Sequence, residues 1–183
     1  MELTGSAEMS GVARSALVAR ASAGDRDAFA VLIDARADQL LRTARAILRS
    51  EAEAHDATQT TLISAWVHLP SLRDPERFDA WLQRTLVNEC RQQLRRRSRA
   101  REVELEDSGV EHGDHAGSRI ETMAVRNAFA RLSVDDRHLL LLHHLHGMPV
   151  AELASQLGVA IGTAKSRLFR ARQALERALE LEA

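Results

Sequence analysis

The chain is poor in the residues that favour sheet structure. Among its 183 residues there is no Tyr, and only 3% are aromatic. Aromatic and β-branched side chains are enriched in strands, whereas the Ala, Leu, Arg and Glu that are abundant in this sequence favour helices. The composition therefore predicts an all-α protein.

Two further absences narrow the class of protein. Cys90 is the single cysteine, which excludes an internal disulfide and fits a reducing cytoplasm. The chain shows no basic start followed by an apolar run, and runs such as 139–142 are far too short to span a bilayer. We therefore expect a cytoplasmic protein with no signal peptide and no direct membrane insertion.

The chain also lacks an excess of cations, because its formal net charge is -1. An average of this kind hides local patches, so a nucleic-acid surface would have to come from clustered basic residues. With 45% hydrophobic and 28% charged residues, the composition is that of a folded protein and far from a disordered one.

Helical periodicity organises the first half of the chain, residues 1–99, into one small domain of four helices. Ser50 with Glu53 forms a capping-box pattern, and Asp74 before Pro75 combines an N-cap with a proline in the favoured first turn. The predicted helices are 12–21, one continuous helix from Asp25 to Leu48, a third from Ser50 to about His68, and a fourth from Asp74 to about Ser98.

The character of the sequence changes between residues 100 and 118, which are acidic, contain several glycines and have few large apolar side chains. This composition predicts a flexible acidic linker. Residues 119–183 return to helical spacing, and Ser133 with Asp136 predicts the cap of a helix that ends at Gly147. The simplest organisation is two small helical domains joined by that linker.

The stretch 150–168 has the pattern of a helix-turn-helix motif. A short helix buries Leu153, Gly158 permits the turn, and Val159 and Ile161 are predicted to fill the junction with the second helix. Proteins with this motif place the second helix in the major groove of duplex DNA.

The second helix of the motif, residues 162–178, separates into an apolar face and a basic face. At about 100° per residue, Ala164, Leu168, Ala171 and Leu175 fall on the side of the predicted core. The remainder of the helix between positions 165 and 172 contains four cations and no acid, whereas a solvated face normally mixes both signs. The basic face therefore indicates a polyanionic partner.

Phe169 projects away from the predicted core, where burial does not account for it. It can contact a thymine methyl group, while Arg170 can donate two hydrogen bonds to a guanine edge. Thr163, at the helix start, can bind phosphate together with the free backbone N–H groups. An ordinary amphipathic helix with an aromatic at a dimer interface is the alternative. The predicted DNA-reading residues are Thr163, Lys165, Ser166, Arg167, Phe169, Arg170 and Gln173.

The helix that follows Pro75 carries another basic face. Asn88 is a single amide within a cationic track, which fits phosphate contacts on either side and the reading of a base edge by the amide. The alternative is a solvated basic face whose C-terminal arginines complement the helix dipole. The side chains that lie within about 60° of one another on this face are Arg84, Asn88, Arg91 and Arg95.

With these motifs in place, the chain resembles the extracytoplasmic-function branch of the sigma-70 family of bacterial RNA polymerase sigma factors, nearly end to end. The string from Gly162 to Arg172, preceded by Leu132-Ser-Val-Asp-Asp-Arg-His, is similar to sigma region 4. In the first half, Asp56-x-x-Gln59 and Phe78-x-x-Trp81-Leu82 are similar to sigma region 2.

The resemblance implies a fold and a function. The fold is a region 2 helical bundle (1–99), an acidic linker (100–118) and a region 4 helix-turn-helix domain (119–183). The function is to bind core RNA polymerase and direct promoter-specific initiation, with region 4 reading the duplex -35 element and region 2 holding an opened -10 element. No enzymatic activity, cofactor or metal is implied.

The family also implies which residues meet which partner. The DNA-reading residues of 162–178 become the -35 contacts. The -10 contacts are Leu72, Arg84, Asn88, Arg91 and Arg95, and the contacts to the polymerase clamp are Glu53, Asp56, Gln59 and Leu62. The implied partners are the clamp of core RNA polymerase, promoter DNA and an anti-sigma factor.

Three positions depart from the family pattern. His55 and Thr60 stand where relatives usually carry acids, which predicts a weaker or differently tuned clamp contact. Leu72 stands where relatives often place an aromatic residue, which predicts less stacking against an unpaired base.

Two other functions compete with this prediction. A one-component helix-turn-helix regulator would share the second half, but it does not predict the Asp56 and Gln59 helix or the Asn88 face. An enzyme or metal protein is prompted by the histidines, since His143 and His146 lie one turn apart and could ligate zinc. No Cys or carboxylate triad completes such a site, and Cys90 on the apolar stripe is expected to be inert.

Overall fold

The structure is a computed structural model that describes residues 11–105 and 120–182, and within these ranges all regular structure is helical. In the same ranges no helix is both long and apolar enough to cross a membrane. The α-helices are α1 (Gly11–Ser22), α2 (Arg26–Asp34), α3 (Ala37–Leu48), α4 (Glu51–His68), α5 (Phe78–Leu105), α6 (Ile120–Arg131), α7 (Val134–Leu140), α8 (Val150–Leu157) and α9 (Ile161–Glu180).

The predicted helix caps are confirmed. The backbone N–H of Glu53 donates to Ser50 Oγ at 3.3 Å, and that of Asp136 donates to Ser133 Oγ at 3.1 Å. Asp74 caps a single 3-10 turn, Pro75–Arg77, which leads directly into α5. These caps depend only on residues within three positions of one another, which is why the sequence reveals them.

The prediction of one helix from Asp25 to Leu48 is wrong, because the chain forms α2 and α3 with a break at Arg36. No Gly or Pro marks this break. Arg36 donates from Nε to Asp79 Oδ1 at 2.8 Å and from Nη2 to Asp79 Oδ2 at 3.0 Å. The side chain of Arg14 donates to the same carboxylate at 3.0 Å. The break between α2 and α3 therefore coincides with a contact between residues 43 positions apart. Local helix propensity alone would have continued the helix through this point.

Two other helix ends differ from prediction. Helix α5 runs to Leu105, so the first residues of the predicted linker are helical, while residues 106–119 lie outside the described residues. Helix α7 ends at Leu140 and continues as a π-helical turn, Leu141–Leu145, before Gly147 turns the chain with φ of +65°. The division into 1–99, 100–118 and 119–183 stays a prediction.

The first five helices enclose one apolar core. Its largest fully buried side chains include Phe78, Leu32, Leu40, Ile47 and Leu86, each at most 1% exposed. They come from α2, α3 and α5, and Leu69 of the 3-10 turn after α4 is buried in the same core. Burial of each such side chain contributes roughly 1.5–3 kcal/mol, so this bundle provides a rigid base for the exposed faces of α4 and α5.

The last four helices enclose a second core around Leu142, Leu153, Leu168 and Ala171. This core fixes the angle between α8 and α9, because Leu153 and Leu168 belong to the two helices of the helix-turn-helix motif. The motif therefore presents the opposite side of α9 outward.

The two cores are in contact through α7, which lies against α3 and α5. Arg137 of α7 is only 8% exposed and donates from Nη1 to the carbonyl of Ile47 at 2.6 Å. The sequence did not predict this contact between its two halves.

His138, beside Arg137 on α7, generates a prediction about pH. Burial lowers the pKa of His138 to about 4, and the nearby Arg91 and His146 act in the same direction. The unfolded chain takes up this proton near pH 6.5 while the folded chain does not, so the free energy of unfolding falls as the pH drops below 6.5. Between pH 7 and pH 5 the protonation of this residue in the unfolded chain lowers the free energy of unfolding by about 2 kcal/mol.

Chemical denaturation at several pH values measures this effect, with His138→Leu as the variant. We expect the variant to lose less stability than the parent chain between pH 7 and pH 5. If the free energy of unfolding falls equally with pH in both proteins over this range, His138 is not the source of the pH dependence.

Candidate nucleic-acid interface

The helix-turn-helix motif is confirmed, with one difference at its junction. Gly158 adopts φ of +66°, the left-handed conformation that glycine accommodates without strain, and its N–H caps α8. Leu153 is fully buried and Val159 is half-buried. Ile161, which was expected to fill the junction, is instead 51% exposed in the first turn of α9.

The two faces of α9 are as predicted. Ala164, Leu168 and Ala171 are buried, and Leu175 is half-buried. Phe169 is 59% exposed, which is unusual for an aromatic side chain next to a buried leucine. The predicted DNA-reading residues, all of which are exposed, are Thr163, Lys165, Ser166, Arg167, Phe169, Arg170 and Gln173.

Hydrogen bonds to the helix backbone orient part of this face. Ser166 Oγ donates to the carbonyl of Gly162 at 3.0 Å, and Arg170 Nε donates to the carbonyl of Ser166 at 3.4 Å. Arg170 thus lies along the helix with its guanidinium at the surface. Together with Arg167 it lines an open cleft of about 390 Å³ whose opposite wall includes Asp135 of α7.

Arg172 is held at the edge of the same face. Its Nε donates to His144 Nε2 at 3.2 Å, so His144 is neutral and accepts at that nitrogen. The pKa of His144 is lowered, by burial first and then by the charge of Arg172. The pair fixes one cation at the margin of α9.

The basic face of α5 is also present. Arg84, Asn88 and Arg95 are exposed, and Arg91 is half-buried. Arg91 Nη1 donates to Asn88 Oδ1 at 2.8 Å, while Nη2 pairs with Asp135 of α7. The structure therefore brings the predicted residues together on one face of α5. Arg91, however, also forms an ion pair with a residue of the second domain. No local pattern could have indicated a partner 44 residues away.

Leu72 lies apart from that face, at the end of the 3-10 turn Leu69–Ser71. It is half-buried and packs against the first core. Its side chain is thus partly committed to packing, which the sequence could not indicate.

The four residues predicted on α4 divide into two groups. Asp56 and Gln59 are exposed, whereas Leu62 is half-buried and packs against the first core. Glu53 is also half-buried, with Oε2 lying 3.7 Å from Arg97 Nη1 of α5. Of these four residues, only Asp56 and Gln59 are exposed, whereas Glu53 and Leu62 are partly buried by contacts within the domain.

Two exposed apolar residues that the sequence analysis missed lie on the same face of α4. Ile63 is 59% exposed and Val67 is 60% exposed. They follow Gln59 at intervals of four residues, the spacing of neighbours along a helix surface. That spacing was the available signal, and it makes a stripe of Asp56, Gln59, Ile63 and Val67.

The histidines that prompted a metal hypothesis bind separate partners. His143 Nδ1 lies 2.9 Å from the carbonyl of Met148, and His146 Nε2 lies 3.0 Å from Thr43 Oγ1. In residues 11–105 and 120–182 no group of three or more His, Cys, Asp or Glu is placed to hold a metal ion. Cys90 is buried, which raises the pKa of its thiol to about 12.

Comparison with known protein families matches both halves of the chain. Residues 32–100 match the family described as Sigma-70 region 2, and residues 122–175 match the family described as Sigma-70, region 4. The first match contains the faces of α4 and α5, and the second contains the helix-turn-helix motif.

Individual relatives cover nearly the whole chain. The ECF RNA polymerase sigma factor SigM of Mycobacterium tuberculosis is 38% identical over 164 residues, which span 89% of this chain and 83% of SigM. The RNA polymerase sigma-H factor of Pseudomonas aeruginosa is 30% identical over 178 residues, spanning 90% of this chain and 92% of that protein.

Two solved structures are similar in fold. The structure of CnrH in complex with the cytosolic domain of CnrY is 27% identical, covers 93% of this chain and 99% of CnrH, and gives a TM-score of 0.66. The sigma factor RpoE in complex with the anti-sigma factor NepR, from Bartonella quintana, is 31% identical, covers 85% and 98% of the two chains, and gives a TM-score of 0.59.

Adjacent residues of α9 test the separation of its two faces. Leu168→Ala should lower the free energy of unfolding by about 2–5 kcal/mol, because it leaves a cavity in the second core. Phe169→Ala should change it by less than about 0.5 kcal/mol, because the side chain is largely solvated. Chemical denaturation of both variants measures the difference, and an equal cost would show that Phe169 is a packing residue.

Proposed function

The chain belongs to the extracytoplasmic-function branch of the sigma-70 family, and on that premise we propose which residues meet polymerase and promoter. It is a sigma factor that binds core RNA polymerase and recognises promoters in transcription initiation, and it is not an enzyme. A one-component regulator would not need the region 2 domain that residues 32–100 match.

The exposed face of α9 reads the -35 element in this proposal. The observation that carries it is the stretch 165–172, which has four cations, no acid and a phenylalanine that is 59% exposed. Arg170 suits a guanine edge, and Phe169 suits a thymine methyl group. Thr163 and the N–H groups of the first turn of α9 suit a phosphate. The other contacts are Lys165, Ser166, Arg167 and Gln173.

The basic face of α5 holds the opened -10 strand. Asn88 reads a base edge, while Arg84, Arg91 and Arg95 contact phosphates, as arginines commonly do. Unstacking a base costs a few kcal/mol, so its capture beside Asn88 shifts promoter DNA toward the opened state. Leu72, which lies at the end of a 3-10 turn, offers an apolar surface without the stacking of an aromatic ring.

The stripe on α4 meets the polymerase clamp. Asp56 and Gln59 supply polar contacts, and Ile63 and Val67 add exposed apolar area that the sequence analysis did not include. Glu53 and Leu62 support this face from within, because each is half-buried against its own domain. His55 lies beside the stripe and pairs with Glu51, with 2.9 Å between His55 Nε2 and Glu51 Oε1.

An anti-sigma factor is a proposed partner, and the cytoplasm is the proposed location. The similar structure of CnrH contains the cytosolic domain of CnrY, and that of RpoE contains the anti-sigma factor NepR. The buried, reduced thiol of Cys90 fits a reducing compartment.

Arg170→Ala tests the -35 assignment. Loss of two hydrogen bonds to a base should weaken promoter binding by about 1–3 kcal/mol and relax specificity at one position. Binding of holoenzyme to duplex promoters with single substitutions in the -35 element measures both effects. Arg126→Ala, which removes an exposed arginine from α6, is the matched control and should have little effect. Unchanged affinity and specificity for Arg170→Ala would contradict the assignment.

Asp56→Arg and Asn88→Ala test the other two surfaces in one crossed design. Asp56→Arg should weaken binding to core polymerase, since it reverses a charge at the proposed clamp contact.

Asn88→Ala should leave polymerase binding intact but reduce promoter opening, measured by permanganate reactivity of unpaired thymines. If both variants lose both properties, misfolding and not a lost contact is the explanation.

A further inference from the structure

His144 lies beside the exposed face of α9, although it belongs to another element. It is part of the π-helical turn Leu141–Leu145, after which the N–H of His146 donates to the carbonyl of Leu141, five residues back, at 3.0 Å. Leu141 and Leu142 of this turn are buried, whereas His144 is exposed. Single π-helical turns are rare and occur frequently at functional sites, so the side chain that this turn presents is a candidate for a role of its own.

The contact between His144 and Arg172 defines the charge state of the imidazole. Arg172 Nε donates to His144 Nε2 at 3.2 Å. A guanidinium group only donates, so the imidazole accepts at Nε2 and carries its proton on Nδ1. Burial lowers the pKa of His144 first, and the charges of Arg172 and His143 lower it further. In the free chain at pH 7 the pair therefore carries a single positive charge, on Arg172.

Arg172 belongs to the side of α9 that carries Phe169. Lys165, Phe169 and Arg172 follow one another at intervals of four and three residues, which places them on one side of the helix. All three are exposed. In the proposed function this side enters the major groove, which the phosphate backbones border. A cation at the margin of α9 therefore meets a phosphate, and His144 is within hydrogen-bond distance of that cation.

The groups around His144 come from α6, α7, α9 and its own turn. His144 lines an apolar groove of about 320 Å³, to which α6 contributes Phe129 and α7 contributes Leu140. Helix α9 contributes two charged side chains to the same groove, Arg172 and Glu176. Apolar surroundings disfavour a second cation beside Arg172, so the ring stays neutral unless an anion approaches from solvent.

A second imidazole lies in the same turn. The rings of His143 and His144 are in contact, with 4.7 Å between their centroids. His143 Nδ1 donates to the carbonyl of Met148 at 2.9 Å, so this ring is committed to the turn itself. Residues 150–183, which include α8 and α9, contain no histidine. Histidine is the side chain that ordinarily changes charge between pH 5 and pH 8, so His144 is the group at this margin that is suited to couple protons to DNA.

We propose that His144 and Arg172 together bind one phosphate of duplex DNA at the margin of the -35 interface, and that His144 takes up a proton from solvent when the phosphate binds. The inference rests on the proposed assignment of α9 to the -35 element. The proton occupies the lone pair of His144 Nε2, so the bond from Arg172 breaks and Nε2 becomes a donor. Two adjacent cations repel each other unless an anion lies between them, and a phosphate accepts hydrogen bonds from both.

Promoter binding is thereby linked to pH. A phosphate beside His144 raises its pKa above that in the free chain, because an opposite charge favours the protonated ring. Between the two pKa values the complex holds one more proton than the separate partners. The affinity for the promoter therefore increases as the pH falls through the pKa of the complex, and it stops increasing below the pKa of the free chain.

Binding of holoenzyme to a promoter that it transcribes, measured at pH 8 and pH 6, tests the linkage. The ratio of the two affinities should favour pH 6 in the parent chain by a factor on the order of threefold more than in His144→Gln, whose amide accepts from Arg172 but does not titrate. His144→Lys carries a permanent cation, so at pH 8 it should bind on the order of threefold more tightly than the parent.

His68→Gln is the matched control, because it removes an exposed histidine from the end of α4. It should keep the parent's ratio of affinities. If His144→Gln also keeps that ratio, or if His144→Lys binds no more tightly than the parent at pH 8, the proposal is overturned.

NMR titration follows the ring of His144 directly, in the full-length chain with and without a short duplex that carries the -35 element. The duplex should raise the pKa of His144 and leave that of His68 unchanged. An unchanged pKa of His144 in the complex, or an equal rise at both histidines, would overturn the shared phosphate site. Failure of the -35 assignment appears separately, as unchanged promoter affinity and specificity for Arg170→Ala.

Discussion

Arg137 places a buried guanidinium where the two halves of the chain meet. It donates to the carbonyls of Leu132 at 3.0 Å, Ala130 at 2.9 Å and Ile47 at 2.6 Å. Ala130 and Ile47 lie in the last turns of α6 and α3, where carbonyls lack helical partners and the helix dipole is negative. Burial lowers the pKa of Arg137, but backbone oxygens satisfy the cation without any carboxylate. The position of α7 against α3 and α5 depends on this arrangement.

The three proposed contact surfaces share one arrangement, in which a buried stripe on a helix fixes an exposed stripe on the opposite side. On α9, Leu168 is buried and Phe169 is exposed, and on α4 Ala65 is buried while Ile63 is exposed. Burial of the apolar stripes stabilises the fold. The exposed faces do not contribute to the cores, so they can hold several charges of one sign. We propose that a chain with net charge -1 binds DNA through the basic faces on α5 and α9, because an average charge hides local patches.

Much of the fold and most of the candidate site could be predicted from local patterns. Caps at Ser50 and Ser133 need only residues three positions away, and the faces of α9 need only helical periodicity. The predictions failed where a distant residue intervened. The break between α2 and α3, which local propensity did not predict, lies at Arg36, and Arg36 pairs with the distant Asp79. The exposed Ile63, beside the half-buried Leu62, was missed for another reason. Periodicity locates an apolar stripe to within about one residue, which is not enough to assign each side chain at its edge.

The sequence by itself determined the helical class, the helix-turn-helix motif and the separation of α9 into a core face and a basic face. These features arise from hydrogen bonds and side-chain spacing within one or two helical turns. Over that distance, the position of a residue in the sequence fixes the face of the helix on which its side chain lies. Only the tertiary structure decided that Asp135 pairs with Arg91 and that Arg137 meets Ile47. Those partners are 44 and 90 residues apart, and packing of two separate cores is what brings them together.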